Sequence, residues 1–136
     1  MEISGTKKRI NLPAVTLFEK ANDFRNFSDY LTDEVKVIAT NEDSCTFAIE
    51  NIATITMKIV EKTPFTLIRF IAENDKNIPF FITLNFTEIS ENETDVEVVL
   101  DIDVPIFLKP VLQSPLQRFV NTLSEKISLS AEKTGS

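Results

Sequence analysis

The sequence predicts an α+β fold in which a curved antiparallel β-sheet of about six or seven strands wraps around a long C-terminal helix. Two patterns carry this prediction. Between residues 34 and 104 apolar residues recur at every second position, as in strands that bury one face. Over residues 115–131 they recur every three or four positions, as in an amphipathic helix. The 136 residues contain no linker or repeat, so we expect one domain spanning 1–136.

The N-terminal part is predicted to contain a strand and two short helices. A strand-like segment covers about 2–12 and ends at Leu12-Pro13. Proline is favourable in the first turn of a helix, where its missing N–H would be unpaired, so we place a helix over 13–21. Asp23 is a typical N-cap for a second short helix that carries Phe24, Phe27 and Leu31.

The middle of the chain is predicted to form about six strands joined by short turns. The strongest alternation is IPFFITLNF at 78–86, with Pro79 near the beginning of the strand, where a missing N–H is tolerated. Short connections favour antiparallel neighbours, which gives a meander. The turn-like segments are TNEDS at 40–44, ENIA at 50–53, EKTP at 61–64, ENDKN at 73–77 and SENET at 90–94.

The C-terminal helix is predicted to begin after a proline-rich segment, PIFLKPVLQSP at 105–115. Ser114 can cap it and Pro115 fits its first turn, so the predicted helix covers about 115–131. The surface that matches its apolar stripe in length is the apolar face of the sheet. The stripe consists of Leu116, Phe119, Val120, Leu123 and Ile127.

Composition argues against several functional classes. The net charge of −7, from 21 acidic and 14 basic side chains, repels nucleic acid and anionic lipid surfaces at long range. No segment approaches the roughly 20 apolar residues of a membrane span, and no apolar leader follows the N-terminal basic cluster, so we expect a cytoplasmic protein.

The absence of histidine and the single cysteine limit the available chemistry. Ser–His and Cys–His nucleophile pairs are excluded, as is a metal cluster of cysteines. Cys45 belongs to the alternating set of residues predicted to face inward, and no cation that could activate its thiol lies beside it in sequence. We therefore expect it to be a small buried apolar residue. We expect no cofactor, no metal and no catalytic residue; an enzyme would depend on carboxylates, Lys, Arg, Tyr30 or water.

Charged residues within the strands allow two interpretations. The acids at alternate positions over 91–103 lie opposite the inward apolar set, as on a solvated surface, although their spacing also suits a calcium or acid–base site. Arg69 and Lys58 should point outward, unless a one-residue bulge turns one of them inward to anchor a ligand carboxylate. The acids are Glu91, Glu93, Asp95, Glu97, Asp101 and Asp103.

Two segments carry a resemblance to a known family: INLPAVTLFEKANDFRNF at 10–27, and SPLQRFVNTLSEKI at 114–127 with the preceding FLKP. They resemble the START-like superfamily, also called SRPBCC, which includes polyketide cyclases and Bet v 1-like proteins. The second segment is similar to small bacterial members of unassigned function. The resemblance covers nearly the whole chain. It implies the helix-grip fold, in which a cavity between sheet and helix often holds a hydrophobic ligand.

The leading hypothesis is therefore that the protein binds a small hydrophobic molecule such as a lipid, isoprenoid or polyketide-like compound. Apolar side chains predicted to project between sheet and helix are its candidate ligand contacts, and two more could form a lid or merely plug one end of the sheet. The candidates are Met57, Phe70, Phe80, Ile82, Leu84, Leu100, Phe119 and Leu123, with Phe107 and Leu108 as the lid. Each could instead be plain core.

Two alternatives remain open from the sequence. One is a cyclase- or dehydratase-like enzyme acting on such a ligand, which requires an ionisable side chain inside the cavity with a shifted pKa. The other is a protein-interaction module, either a homodimer or an adaptor, in which the apolar segment PIFLKPVL docks on a partner.

Overall fold

A computed structural model of the chain describes residues 1–22, 35–41, 44–49, 53–75 and 77–135. The described residues form one antiparallel sheet with strand order β1-β8-β7-β6-β5-β4-β3, and β2 also pairs with β8. The strands are β1 (Glu2–Ser4), β2 (Lys8–Ile10), β3 (Val35–Thr40), β4 (Ser44–Ile49), β5 (Ala53–Thr63), β6 (Leu67–Asn74), β7 (Phe80–Ser90) and β8 (Glu93–Ile102). The helices are α1 (Ala14–Ala21) and α2 (Lys109–Gly135), the latter preceded by a 3-10 turn at Ile106–Leu108.

This architecture confirms the predicted α+β helix-grip fold, with a curved open sheet and a long C-terminal helix. The meander from β3 to β8 follows the chain order, as the short turns predicted. The second short helix predicted from Asp23 lies outside the described residues. Among the described helices, none combines the length and the apolar run that crossing a bilayer takes.

The predicted N-terminal strand is divided in two, because one extra residue is accommodated between Ser4 and Lys8. Residues 5–7 lie opposite residues 97–98 of β8, between the pairs Ser4↔Val99 and Lys8↔Val96. Such a bulge shifts the alternation by one position. Ile3 and Ile10, which lie at odd and even positions, are therefore both buried.

Helix α1 begins as the proline predicted, within one residue. Pro13 occupies the N-cap position and its carbonyl accepts a hydrogen bond from the N–H of Leu17 at 3.2 Å. The helix buries Leu17 and Phe18 against β6 and β7, and leaves Val15 exposed.

Helix α2 begins six residues earlier than predicted, at Lys109 rather than 115. The 3-10 turn, closed by the Leu108 N–H and the Pro105 carbonyl at 2.9 Å, starts the helix upstream of Ser114. Pro110 then falls in the first turn, where no N–H is needed. Pro115 removes one interior hydrogen bond, but it lies on the exposed side of α2, where water can satisfy the Val111 carbonyl.

The core lies between the inner face of the sheet and α2. Strand register aligns inward-facing side chains in rows across the sheet. One row crosses five strands and is buried except for the partly buried Ile59: Ile3, Leu100, Ile82, Phe70 and Ile59. The alternation predicted over 78–86 is confirmed, because every second residue from Phe80 to Phe86 is buried and the residues between are partly exposed.

Candidate functional site

The candidate site is the region where the inner face of the sheet meets the N-terminal half of α2. From Val120 onward the apolar side chains of the helix, Val120, Leu123 and Ile127, are buried against the core. Before Val120 the corresponding residues of the 3-10 turn and the first turns of α2 pack on the core but remain half-buried. We call these residues the half-buried stripe: Leu108, Leu112, Leu116 and Phe119.

Helix α2 contacts the described sheet closely on one side only, the side formed by its N-terminal strands and β8. The helix packs mainly on β1, β2 and β8, which form one side of the sheet. A Cβ added to Gly5 would lie 2.6 Å from Ser124 Oγ and 2.8 Å from the Val120 carbonyl oxygen, so glycine permits this approach. Gln117 Nε2 also donates to the Ser4 carbonyl at 2.9 Å. These contacts hold the helix toward the β1 side of the sheet.

The predicted ligand-contact residues fall into three groups by burial. Met57, Phe70, Ile82 and Leu100 have at most 1% of their surface exposed, and in this conformation they pack as core. The next group is nearly as deep and comprises Leu84, Leu123 and Phe80. The last group is accessible: Leu108 and Phe119 are half-buried, and Phe107 is 73% exposed.

Two residues of the half-buried stripe, Leu112 and Leu116, are absent from the ligand contacts predicted from the sequence. The apolar stripe places Leu116 in the helix but does not mark it as a site residue. Leu112 was missed because Ser114-Pro115 is a typical helix start, which placed it outside the helix. The i, i+4 spacing of Leu108, Leu112 and Leu116 is the pattern that could have identified both.

The buried polar side chains among the described residues are Thr94 and Ser124, and both are satisfied within the protein. Thr94 Oγ1 donates to the Leu12 carbonyl at 2.9 Å, and Ser124 Oγ donates to the Val120 carbonyl at 2.9 Å. The buried amide oxygen of Asn22, at the end of α1, meets no hydrogen-bond donor in the described part of the chain. Burial raises the pKa of the Cys45 thiol, which is therefore protonated at neutral pH.

The strand-borne cations lie on the outer face of the sheet. Arg69 stacks over the Phe81 ring, with its guanidinium carbon 4.3 Å from the ring centroid. Lys58 Nζ lies 3.5 Å from Glu73 Oε1. A bulge does occur in β5, between Ile59 and Glu61, but it leaves Lys58 outward. Neither cation is placed to anchor a ligand carboxylate between sheet and helix.

The acids on and beside β8 also face outward or lie in exposed segments. Asp95 accepts a two-point contact from Arg9: Nε donates to Oδ1, and Nη2 donates to Oδ2 at 3.3 Å. This guanidinium lowers the pKa of the Asp95 carboxyl. No group of three or more acids, cysteines or histidines in the described ranges could hold a metal ion.

The chain is similar to known proteins in its structure but not detectably in its sequence. Neither a protein-family model nor a curated protein matches the sequence. Among solved structures, a Thermus thermophilus protein is 20% identical with a TM-score of 0.73, and each chain is covered in full.

Two further neighbours carry named activities. An aromatase/cyclase from a Streptomyces species is 12% identical, with a TM-score of 0.76 and coverage of 100% of this chain and 96% of that one. A norcoclaurine synthase point mutant from Thalictrum flavum, in complex with a transition-state analogue, is 9% identical with a TM-score of 0.75 and the same coverage. The protein therefore has the helix-grip fold of the START-like superfamily, the fold of aromatase/cyclases and Bet v 1-like proteins.

Proposed function

We propose that the protein binds a small, uncharged hydrophobic molecule, such as a lipid, isoprenoid or polyketide-like compound, between the inner face of the sheet and α2. The observation that carries this proposal is the half-buried stripe, an apolar surface that faces the core without being fully covered. Burying it would contribute about 25 cal/mol per Å².

The surroundings of the stripe favour a neutral ligand. Arg69 and Lys58 are held on the outer face of the sheet, and the hydroxyls of Thr94 and Ser124 already donate within the protein. Neither of the two sheet cations can therefore offer a counter-charge to an ionised group buried against the sheet, and burying an unpaired charge costs on the order of several kcal/mol. Any charged end of the ligand would therefore remain at the solvent side of the stripe.

The packing also suggests where the ligand would enter. The deepest candidates, such as Met57, Phe70 and Ile82, have at most 1% of their surface exposed, so a guest would reach them only by displacing neighbouring side chains. Leu112, Leu116 and Phe119 are already accessible. The ligand would contact the half-buried stripe first and the central row of the sheet only if the core opens.

A displacement assay tests the proposal. N-phenyl-1-naphthylamine, a neutral apolar dye, is expected to fluoresce in the presence of the protein and to be displaced by farnesol or 1-hexadecanol. Palmitate should compete less well than the alcohol of equal chain length, because its carboxylate resists burial. Native mass spectrometry of freshly purified protein would identify a ligand that copurifies. Failure of every apolar probe to bind would contradict the proposal.

A matched pair of variants locates the site. Leu112→Trp adds bulk within the half-buried stripe and is expected to weaken dye binding at least tenfold. Leu129→Trp adds the same bulk at an exposed position near the other end of α2 and should leave binding unchanged. Circular dichroism and thermal melting establish that both variants fold. Equal binding by the two variants would place the ligand elsewhere.

The enzymatic alternative has less support among the described residues. It requires an ionisable side chain inside the site, whereas the charged groups with shifted pKa values, Arg9 and Asp95, form a pair on the surface. Tyr30, the phenol considered from the sequence, lies outside the described residues.

A further inference from the structure

Three large apolar side chains project into solvent where β8 leads into α2. Ile106 is 80% exposed, Phe107 is 73% exposed and Val111 is 66% exposed. We call these three residues the apolar tip. They occupy the segment that the sequence identified as a possible docking element, and the described fold leaves them uncovered.

The apolar tip is presented by an ordered segment. The 3-10 turn is closed by the bond from the Leu108 N–H to the Pro105 carbonyl, and Pro110 restricts the backbone on its other side. Leu108 and Leu112, next to the tip in sequence, pack on the core. The tip is thus fixed to the same turns of α2 that carry the half-buried stripe.

The charge around the tip differs from that of the whole chain. Residues 104–124 contain no Asp or Glu but include Lys109 and Arg118, in a protein of net charge −7. Val111 and Arg118 are seven positions apart and both exposed, so they share one helix face, with Arg118 about 10 Å further along the axis. The first acid beyond, Glu125, pairs with Lys8 at 2.7 Å, whereas exposed Asp103 precedes the segment.

The size of the tip distinguishes between partners. Three exposed side chains of this kind present roughly 400 Å² of apolar surface, about half of what each partner buries in a stable protein interface. A second copy would also bring Lys109 and Arg118 against the same two cations in a symmetric contact. A lipid bilayer requires neither a matching shape nor a large area, since apolar side chains insert about 5–10 Å below the headgroups.

We propose that the apolar tip inserts into the surface of a lipid bilayer, with the N-terminal end of α2 toward the membrane and Arg118 at the level of the phosphates. The net charge does not prevent this, because salt screens charges beyond about 10 Å and the segment itself carries no acid. Asp103 offsets part of the local positive charge, so apolar insertion supplies most of the affinity. This inference goes beyond the proposed ligand binding and does not depend on it.

Flotation with vesicles tests the proposal on the full chain. Phosphatidylcholine vesicles, and vesicles containing phosphatidylcholine and phosphatidylglycerol at about 4:1, are both expected to bind the wild-type protein. The double variant Ile106→Ser/Phe107→Ser should bind at least tenfold more weakly to both. The control Val60→Ser/Ile89→Ser removes exposed apolar surface from β5 and β7 and should bind as the wild type does. Arg118→Glu should lose two- to fivefold on the phosphatidylglycerol vesicles.

The proposal is overturned if the wild-type protein floats with neither vesicle, or if the tip variant and the control bind equally. Unchanged binding of Arg118→Glu to the phosphatidylglycerol vesicles overturns the assigned orientation. A dimer in solution that the tip variant dissociates, without vesicle binding, would instead identify a second copy as the partner. Dye displacement is measured separately without lipid, so failure of ligand binding and failure of membrane binding are distinguishable.

Discussion

Phe65 has a backbone conformation that most residues avoid, with φ at 66° in the turn between β5 and β6. The Thr66 N–H donates to the Thr63 carbonyl at 3.1 Å, and Pro64 precedes Phe65, which occupies the position where such turns favour glycine or asparagine. The Phe65 ring meets Phe18 edge-on, with centroids 5.7 Å apart. Phe65 therefore combines an unfavourable positive φ with a favourable ring contact to Phe18.

Replacing Phe65 with glycine or alanine separates the two effects. Both variants lose the ring contact, but glycine adopts a positive φ without a Cβ penalty. We expect Phe65→Gly to be more stable than Phe65→Ala by about 1 kcal/mol in urea unfolding. As a control, Thr87→Ala on strand β7 should be more stable than Thr87→Gly, which is the usual order in a strand. An alanine variant at least as stable as the glycine variant at position 65 would contradict this explanation.

The ionisation of the Cys45 thiol measures how well this part of the core is shielded from water. It is buried on β4 opposite Met57, and burial raises its pKa. A raised folded-state pKa stabilises the protein below the ordinary thiol pKa, and this contribution is lost as the pH rises through the folded-state value. We expect the stability difference between wild type and Cys45→Ala to shift against the wild type above about pH 9. A difference constant with pH would show that the thiol is not shielded.

At the scale of elements, the position of α2 is determined by its contact with the N-terminal strands. In the β1–β2 connection the backbone at Gly5 lies against Val120 and Ser124, and the Gly5 N–H donates to the Val98 carbonyl at 2.8 Å. One small residue therefore sets how closely the helix approaches the sheet on this side. Closer to the start of α2 and just before it, the side chains remain partly uncovered: Leu108, Leu112 and Leu116.

Gly5→Ala should destabilise the protein by about 1–3 kcal/mol in urea unfolding, because the added Cβ overlaps a packed helix. Adding Ser124→Ala to this variant should recover only part of the loss, since the Val120 carbonyl oxygen belongs to the backbone. The control Ser4→Ala, at an exposed neighbouring position, should change stability by less than about 0.5 kcal/mol. Full recovery in the double variant would mean that the helix shifts easily.

The pairing of β2 with β8 is linked to pH through Arg9 and Asp95. The guanidinium lowers the folded-state pKa of the Asp95 carboxyl, mainly through their hydrogen bond. The stabilisation is therefore present above the ordinary carboxyl pKa near 4 and is lost as the pH falls through the lower folded-state value. The stability difference between wild type and Asp95→Asn should shrink between pH 5 and pH 2. As a control, the stability difference between wild type and Thr87→Ala should not change with pH, because Thr87, opposite Asp95 on β7, does not titrate.

At the scale of the whole molecule, the core is closed around the central rows of the sheet and more accessible along the first turns of α2. The apolar tip and the half-buried stripe are both carried by the 3-10 turn and these turns. If the protein takes up an apolar ligand from a bilayer, the two proposed contacts would lie close together. The transfer would then expose little of the ligand to water.

A bound ligand should stabilise the fold and protect its interior together. At a free concentration about 100 times the Kd, farnesol or hexadecanol is expected to add about 2.7 kcal/mol, which raises Tm on the order of 5–10 °C. The same ligand should slow the reaction of Cys45 with a disulfide reagent. At the same ligand concentration Leu112→Trp, with a Kd at least tenfold higher, should gain no more than about 1.4 kcal/mol and show weaker protection of Cys45, whereas Leu129→Trp should show both effects in full. A Tm rise that is equal in the two variants would indicate binding elsewhere.

Much of the fold follows from local patterns in the sequence. The alternation over 78–86 and 96–102 identifies the strands and their inward side chains, because a strand exposes successive residues to opposite faces. The stripe at 116–127 likewise identifies α2. Predictions were less accurate where a local signal has two outcomes: Ser114-Pro115 can start a helix, yet here it lies inside one.

The candidate site could be predicted only in part. Composition and periodicity determined that an apolar face exists, and they placed Ile82 and Leu123 on it. Only the tertiary structure decided that Ile82 is closely packed, that Leu112 is accessible and that Phe107 projects into solvent. Hydrophobic periodicity depends on neighbours along the chain. Whether an apolar side chain is shielded from solvent depends on contacts between segments that are distant in sequence, such as Gly5 against Val120. The sequence by itself thus determined which residues avoid water, and long-range packing decided which of them remain accessible to a partner.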